Sequence, residues 1–189
     1  MLIHFIRHTA VAAPGICYGH YDVPLADTFA TEAATLKTKL LPVTPAGFRV
    51  FSSPAARCLA LAAEFATDIT ADERLREMNF GTWENRPWAE LPATETEPWM
   101  ADYVTLAPPQ GETFRAVQDR ATAFLTELTT APAADEARLV FSHGGTIRAI
   151  VSSCLDLPLR NAFRLRIDYA SVTTLEYQHG HWSLLRLNC

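Results

Sequence analysis

Three apolar runs of this chain read as strands, and each ends at a polar or cationic group. Leu2-Ile3-His4-Phe5-Ile6 stops abruptly at Arg7-His8-Thr9. "FRVFSS" (48–53) is followed by Arg57, and "ARLVFS" (137–142) runs into His143-Gly144-Gly145. Bulky polar side chains at the ends of buried strands are costly unless something pairs with them. Helical stripes separate the runs. Residues 28–41 carry Phe29, Ala33, Leu36 and Leu40, with Asp27 or Thr28 as N-cap. Residues 54–66 are rich in alanine and leucine, with Pro54 suited to the first turn. Residues 113–129 place Phe114, Val117, Ala121, Phe124, Leu125 and Leu128 at helical spacing, and "TIRAIVSSCL" follows the two glycines. Strands alternating with helices predict an α/β layer fold with a largely parallel sheet. "SVTTLEYQ" and "HWSLLRLN" predict a closing hairpin around His179-Gly180-His181, which makes the sheet mixed.

At 189 residues the chain is expected to be a single domain, 1–189, with a sizeable core. A net charge of −5 provides no global basic field for nucleic acid or an anionic membrane, so any anion must be held by a local cluster. Cys17, Cys58, Cys154 and Cys189 form no C-x-x-C pair and read as reduced thiols. With no signal-peptide pattern and no apolar window of about 18 residues, no membrane association and a cytoplasmic location are expected. "TTAPAADEA" (129–137) reads as a surface connection and "LAPPQGET" (106–113) as an irregular loop. Residues 80–112 interrupt the alternation and carry Trp83, Trp88 and Trp99. They read as a lid insertion over one end of the sheet, with the tryptophans as its core.

Ligands of open α/β sheets bind beyond the carboxyl ends of the strands, where helix N-termini offer free N–H groups. If the three strands are neighbours, Arg7, His8, Arg57 and His143 converge there, and a phosphate is the natural partner of such a cluster. "LREMNFGTWEN" (75–85) adds Glu77; beside Phe80 and Trp83 its carboxyl is expected to have a raised pKa and to donate a proton. Taken singly, each residue has a plainer reading: a paired strand end, a solvated helix arginine, a turn histidine, a surface carboxylate. Their joint placement argues for a site. His179 and His181 lack further ligands, and no metal site or cofactor is expected.

In these motifs, "IRHT", "FSSPAARC", "LREMNFGTWE", "GETF" and "FSHGG", the chain resembles the histidine phosphatase, or phosphoglycerate-mutase-like, superfamily from residue 3 to about 150. "GICYGHYDVPL" (15–25) with "EMNFGTWE" resembles its α-ribazole phosphatase branch. The resemblance implies a three-layer α/β/α fold with a mostly parallel, mixed central sheet. It also implies hydrolysis of a small phosphomonoester, α-ribazole 5′-phosphate in cobalamin assembly, without a metal. His8 would be the nucleophile, Arg7 and Arg57 the phosphate ligands, His143 a stabiliser of the phosphoryl charge, and Glu77 the proton donor and acceptor. Such fixed donors suit a transferring group that spreads charge over its oxygens.

The sequence departs from the family pattern at Thr9 for the usual glycine, Ala10 for Glu or Gln, Pro14 for an asparagine and Asn85 for a glycine. None removes a group with a chemical role. Tyr18, His20, Tyr21 and Asp22 are candidates to line the leaving-group pocket, where an aromatic ring stacks on a base. Packing is an equal reading for Tyr18 and turn-capping for Asp22. Glu112 of "GETF" reads equally as a substrate-side contact and as a carboxylate at a helix start. Three alternatives stay open: a phosphoglycerate mutase, a broad-specificity sugar-phosphate phosphatase, and a non-catalytic phosphoester-binding protein.

Overall fold

The computed structural model describes residues 1–40, 47–130 and 137–189. Strands β1 (Leu2–Arg7), β3 (Phe48–Ser52), β4 (Ile69–Ala71) and β6 (Ala137–Ser142) form the parallel part of a six-stranded sheet. β7 (Val172–Gln178) and β8 (His181–Arg186) add antiparallel to it, in the order β4-β3-β6-β1-β7-β8. A second pairing joins β2 (Ile16–Cys17) to β5 (Arg86–Pro87). The sheet is therefore mixed and mostly parallel, with helices on both faces.

The pleat sorts the core into two halves. Ile6, Val50, Leu139 and Phe141 pack against α1 (Phe29–Leu40) and α2 (Ala56–Ala63) through Leu36, Leu40 and Leu61. Ile3, Phe5, Phe51 and Val140 pack against α4 (Phe114–Thr130) and α5 (Gly144–Cys154) through Phe124, Leu125, Ile147 and Ile150. All six apolar residues expected on the α4 stripe are buried, and Gln118 joins them. Thr113 Oγ1 caps α4 by accepting from Ala116 N–H at 3.1 Å.

Some boundaries differ from the sequence reading. α2 begins at Ala56, so Pro54 lies outside its first turn. Ala55 is extended (ψ 135°), and Ala56 N–H donates to the Asp22 carboxylate at 3.0 Å. The helix ends at Ala63, where Glu64, Phe65 and Ala66 N–H close onto Leu61 and Ala62 carbonyls. Gly144 and Gly145 belong to α5 instead of preceding it. In the expected connection 129–137, Thr129 and Thr130 end α4 and Ala137 opens β6; 131–136, like residue 41 of the first helix, lie outside the described residues. The hairpin turns on His179 and Gly180, both with positive φ (51° and 82°).

Residues 80–112 hold three short pieces and α3 (Ala93–Ala101). Trp83, Trp88 and Trp99 pack ring against ring with Phe80, and Trp83 Nε1 donates to Glu95 at 2.7 Å. No helix among the described residues is long and apolar enough to cross a membrane.

Candidate active site

The parallel ladder runs on past its strands and aligns their ends. His8 N–H donates to Ser142 O at 3.1 Å and Ser53 N–H to Phe141 O at 2.8 Å. His8 and His143 therefore stand side by side, ring centroids 5.2 Å apart, with relative exposures of 1% and 0%. His8 Nδ1 lies 2.7 Å from Thr9 O. A carbonyl only accepts, so Nδ1 carries the proton and Nε2 is left with its lone pair. Burial, then Arg57 and Arg7, push the His8 pKa down to about 3, so the ring is neutral at pH 7. Burial and Arg57 likewise hold His143 well below the usual histidine value. His143 Nε2 lies 2.8 Å from Ser53 Oγ.

The cations come from three elements. Arg57, in the first turn of α2, is 1% exposed and donates to Gly19 O at 2.6 Å and Tyr21 O at 3.1 Å. Arg7 donates to Ile167 O at 2.7 Å, with the Tyr169 ring centroid 3.8 Å from its Cζ. The Nε atoms of Arg7 and Arg57 are buried and have no hydrogen-bond partner among the described residues. Orphaned buried donors of this kind suit an anion. Arg148 donates from Nε to Leu165 O at 2.9 Å, so the 165–167 stretch tethers two guanidiniums. Gly144 admits both: a Cβ there would stand 3.0 Å from Arg148 Nη1 and 3.3 Å from Arg7 Cζ.

Glu77 sits on the N-terminus of α5. It accepts from Gly145 N–H at 2.9 Å, Thr146 N–H at 3.1 Å and Met78 N–H at 3.1 Å. This corrects the apolar surroundings expected from its sequence neighbours: Phe80 shares its pocket, but backbone donors hold the carboxylate and Trp83 is buried elsewhere. Arg120 of α4 holds the Glu77 loop through the carbonyls of Arg74 and Arg76 at 2.7 Å and of Glu77 at 3.0 Å. Glu112 pairs with Arg120 at 2.9 Å and accepts from Asn79 N–H at 2.8 Å, so it braces the same loop. Beside Arg7 and Glu77 opens a pocket of about 120 Å³ walled by Phe80, Trp99, Tyr103, Phe114 and Phe163.

Residues 3–189 match the histidine phosphatase superfamily (branch 1). The chain belongs to the histidine phosphatase superfamily. It is an enzyme of the phosphatase type. It is 31% identical over 192 residues to a Shigella boydii serotype 18 protein named "probable phosphoglycerate mutase GpmB", covering 95% of this chain and 86% of that one. It is 27% identical over 195 residues to a Hydrogenobacter thermophilus protein provisionally named phosphoserine phosphatase 2, covering 98% and 94%. The α-ribazole phosphatase of Shigella flexneri superposes with a TM-score of 0.90 at 25% identity, over 100% of this chain and 96% of that one.

The remaining candidates gather around Arg57 and Glu84. Tyr18 Oη meets Tyr169 Oη at 2.8 Å, and its ring centroid lies 5.2 Å from Arg57 Cζ. Glu84 gathers the next turn, accepting from His20 N–H at 2.9 Å and Tyr21 N–H at 2.5 Å. His20 Nε2 lies 3.8 Å from Glu112, and Tyr21 is exposed. Asp22 faces Ala56 N–H and Arg57. The aromatic pocket beside Glu77 is built from other residues. Sequence reasoning missed Ser53, Glu84, Arg120, Arg148 and Tyr169. Ser53 ends "FRVFSS", and Arg148 lies one helical turn after Gly144, so both carried a signal. Arg120 and Tyr169 act across long sequence separations and carried none. No group of three or more His, Cys, Asp or Glu arranged to hold a metal occurs among the described residues.

Proposed function

We propose that this chain hydrolyses phosphomonoesters through a phosphohistidine on His8, with fixed cations in place of a metal, and that its substrate is α-ribazole 5′-phosphate. The observation that carries the reading is the neutral His8, its Nδ1–H tied to Thr9 O, between two guanidiniums whose buried Nε atoms lack partners. Arg7, Arg57 and His143 hold the phosphoryl oxygens. His8 Nε2 attacks phosphorus while the bond to the ester oxygen breaks, and Glu77 passes its proton to that oxygen. Water then attacks the phosphohistidine, Glu77 takes the water's proton, and phosphate and neutral His8 are left. Three backbone donors fix the Glu77 carboxylate beside the aromatic pocket, which on this reading takes the leaving group whose ester oxygen Glu77 protonates.

The rings of the pocket support a flat leaving group such as the benzimidazole nucleoside of α-ribazole, as does the likeness to the Shigella flexneri enzyme. They suit a small charged leaving group such as glycerate or serine less well. The test is phosphate release, with EDTA present, from α-ribazole 5′-phosphate, 3-phosphoglycerate, phosphoserine and sugar phosphates. The reading expects kcat/KM for the ribazole ester to exceed the others by about tenfold or more. A preference for 3-phosphoglycerate with isomerisation would make the chain a mutase, and equal rates on all would remove the substrate assignment.

A further inference from the structure

Arg7 and Arg57 are held in the same way by two different segments. Arg57 donates to Gly19 O and Tyr21 O, and the ring of Tyr18, from that turn, has its centroid 5.2 Å from Arg57 Cζ. Arg7 donates to Ile167 O, and the ring of Tyr169, two residues on, has its centroid 3.8 Å from Arg7 Cζ and 5.5 Å from that of His8. A guanidinium stacks on an aromatic face, so each ring restrains the plane of its arginine. β1 ties the second segment further: Arg7 N–H donates to Ser171 O and Ala170 N–H to His8 O, both at 3.1 Å. The two tyrosines, 151 residues apart in the chain, meet where Tyr18 Oη and Tyr169 Oη share a hydrogen bond of 2.8 Å. That bond links the two arginines ring to ring.

We propose that the Tyr18–Tyr169 hydroxyl bond is a tie that sets the spacing and tilt of Arg7 and Arg57, which makes the two tyrosines positioning residues for the phosphoryl group. The proposal rests on the reading of Arg7 and Arg57 as its ligands. Two arginines that take oxygens of one phosphoryl group must keep a fixed separation, and catalysis of phosphoryl transfer is largely such positioning. The tie acts through the arginines, so its loss is felt by any ligand that carries the phosphoryl group, whatever the leaving group. Neither ring lines the aromatic pocket beside Glu77.

The test uses Tyr18→Phe, Tyr169→Phe and the double variant, all of which keep both rings and remove only hydroxyls. It measures kcat/KM on p-nitrophenyl phosphate and on ribose 5-phosphate, with inorganic phosphate as a competitive inhibitor that has no leaving group. Each single variant should lower kcat/KM by about two- to tenfold, by the same factor on both substrates, and should weaken inhibition by phosphate. The double variant should lose no more than either single one, because the same bond is broken in all three. Losses that multiply in the double variant, or phosphate inhibition unchanged in all three, would overturn the tie and leave the phosphatase reading standing. So would a loss confined to one substrate, which would place the tyrosines against the leaving group instead. No release from either substrate by the natural enzyme would overturn the phosphatase reading and this inference together.

Discussion

One carbonyl decides what His8 does. Thr9 O accepts the Nδ1 proton, and burial with two arginines keeps the ring uncharged, so Nε2 presents a lone pair at neutral pH. That contact does not depend on the residue type at 9, because the carbonyl is backbone. In the proposed mechanism Glu77 has the other half of the chemistry. Glu77→Gln keeps the shape and acceptor oxygen but removes the proton, and should lower kcat by about 10²- to 10⁴-fold on alkyl phosphates. The loss should be much smaller on p-nitrophenyl phosphate, whose leaving group departs without protonation; an equal loss on both would take the proton-donor role from Glu77. At this scale the sequence was legible where a strand ran into a cation or imidazole, as at Arg7-His8 and His143. It gave half of the setting of Glu77: Phe80 shares its pocket, but Trp83 does not, and the donors that hold the carboxylate lie 68 and 69 residues further along, in α5.

The N-terminus of α5 works because two of its residues have no side chain. A Cβ on Gly145 would stand 2.3 Å from Glu77 Oε1, so the carboxylate reaches its backbone donors only over a bare Cα. Gly145→Ala should displace Glu77 and reduce kcat to near the Glu77→Gln level. Its cost in stability should be about 1–3 kcal/mol, read by urea unfolding. Full activity in this variant would show that Glu77 need not sit on the helix. Strands and helices were legible as elements because apolar periodicity marks them, as in α4, where the expected stripe is the buried one. The ends of α2 were not, because they are set by Asp22 far along the chain and by closure of the last turn. The aromatic pocket escaped notice for a similar reason: Phe80, Trp99, Phe114 and Phe163 come from four separate segments, and no local pattern joins them.

The whole molecule carries a strong acid sensitivity in its buried histidines. His4 is held at about 4 by burial and Arg186, His8 at about 3 and His143 well below its usual value. Their folded values lie below the unfolded value of about 6.5, so the unfolded chain binds more protons once the pH drops below that. The stability they contribute is fully present above about pH 6.5 and is lost as pH falls toward the folded values, at up to about 1.4 kcal/mol per pH unit for each histidine. Urea unfolding at pH 7 and pH 5 should show this decline, and equal stability at both would contradict the burial of these rings. The activity too belongs to the whole fold, since His8, Arg57, Glu77 and His143 meet only when β1, β3 and β6 lie side by side. The most direct test is to mix the intact enzyme with ³²P-labelled α-ribazole 5′-phosphate, quench it within one turnover under conditions that preserve phosphohistidine, and map the label. The account predicts label on the peptide carrying His8, with neither label nor turnover in His8→Ala. Turnover with no labelled His8, or label on another residue, would contradict it.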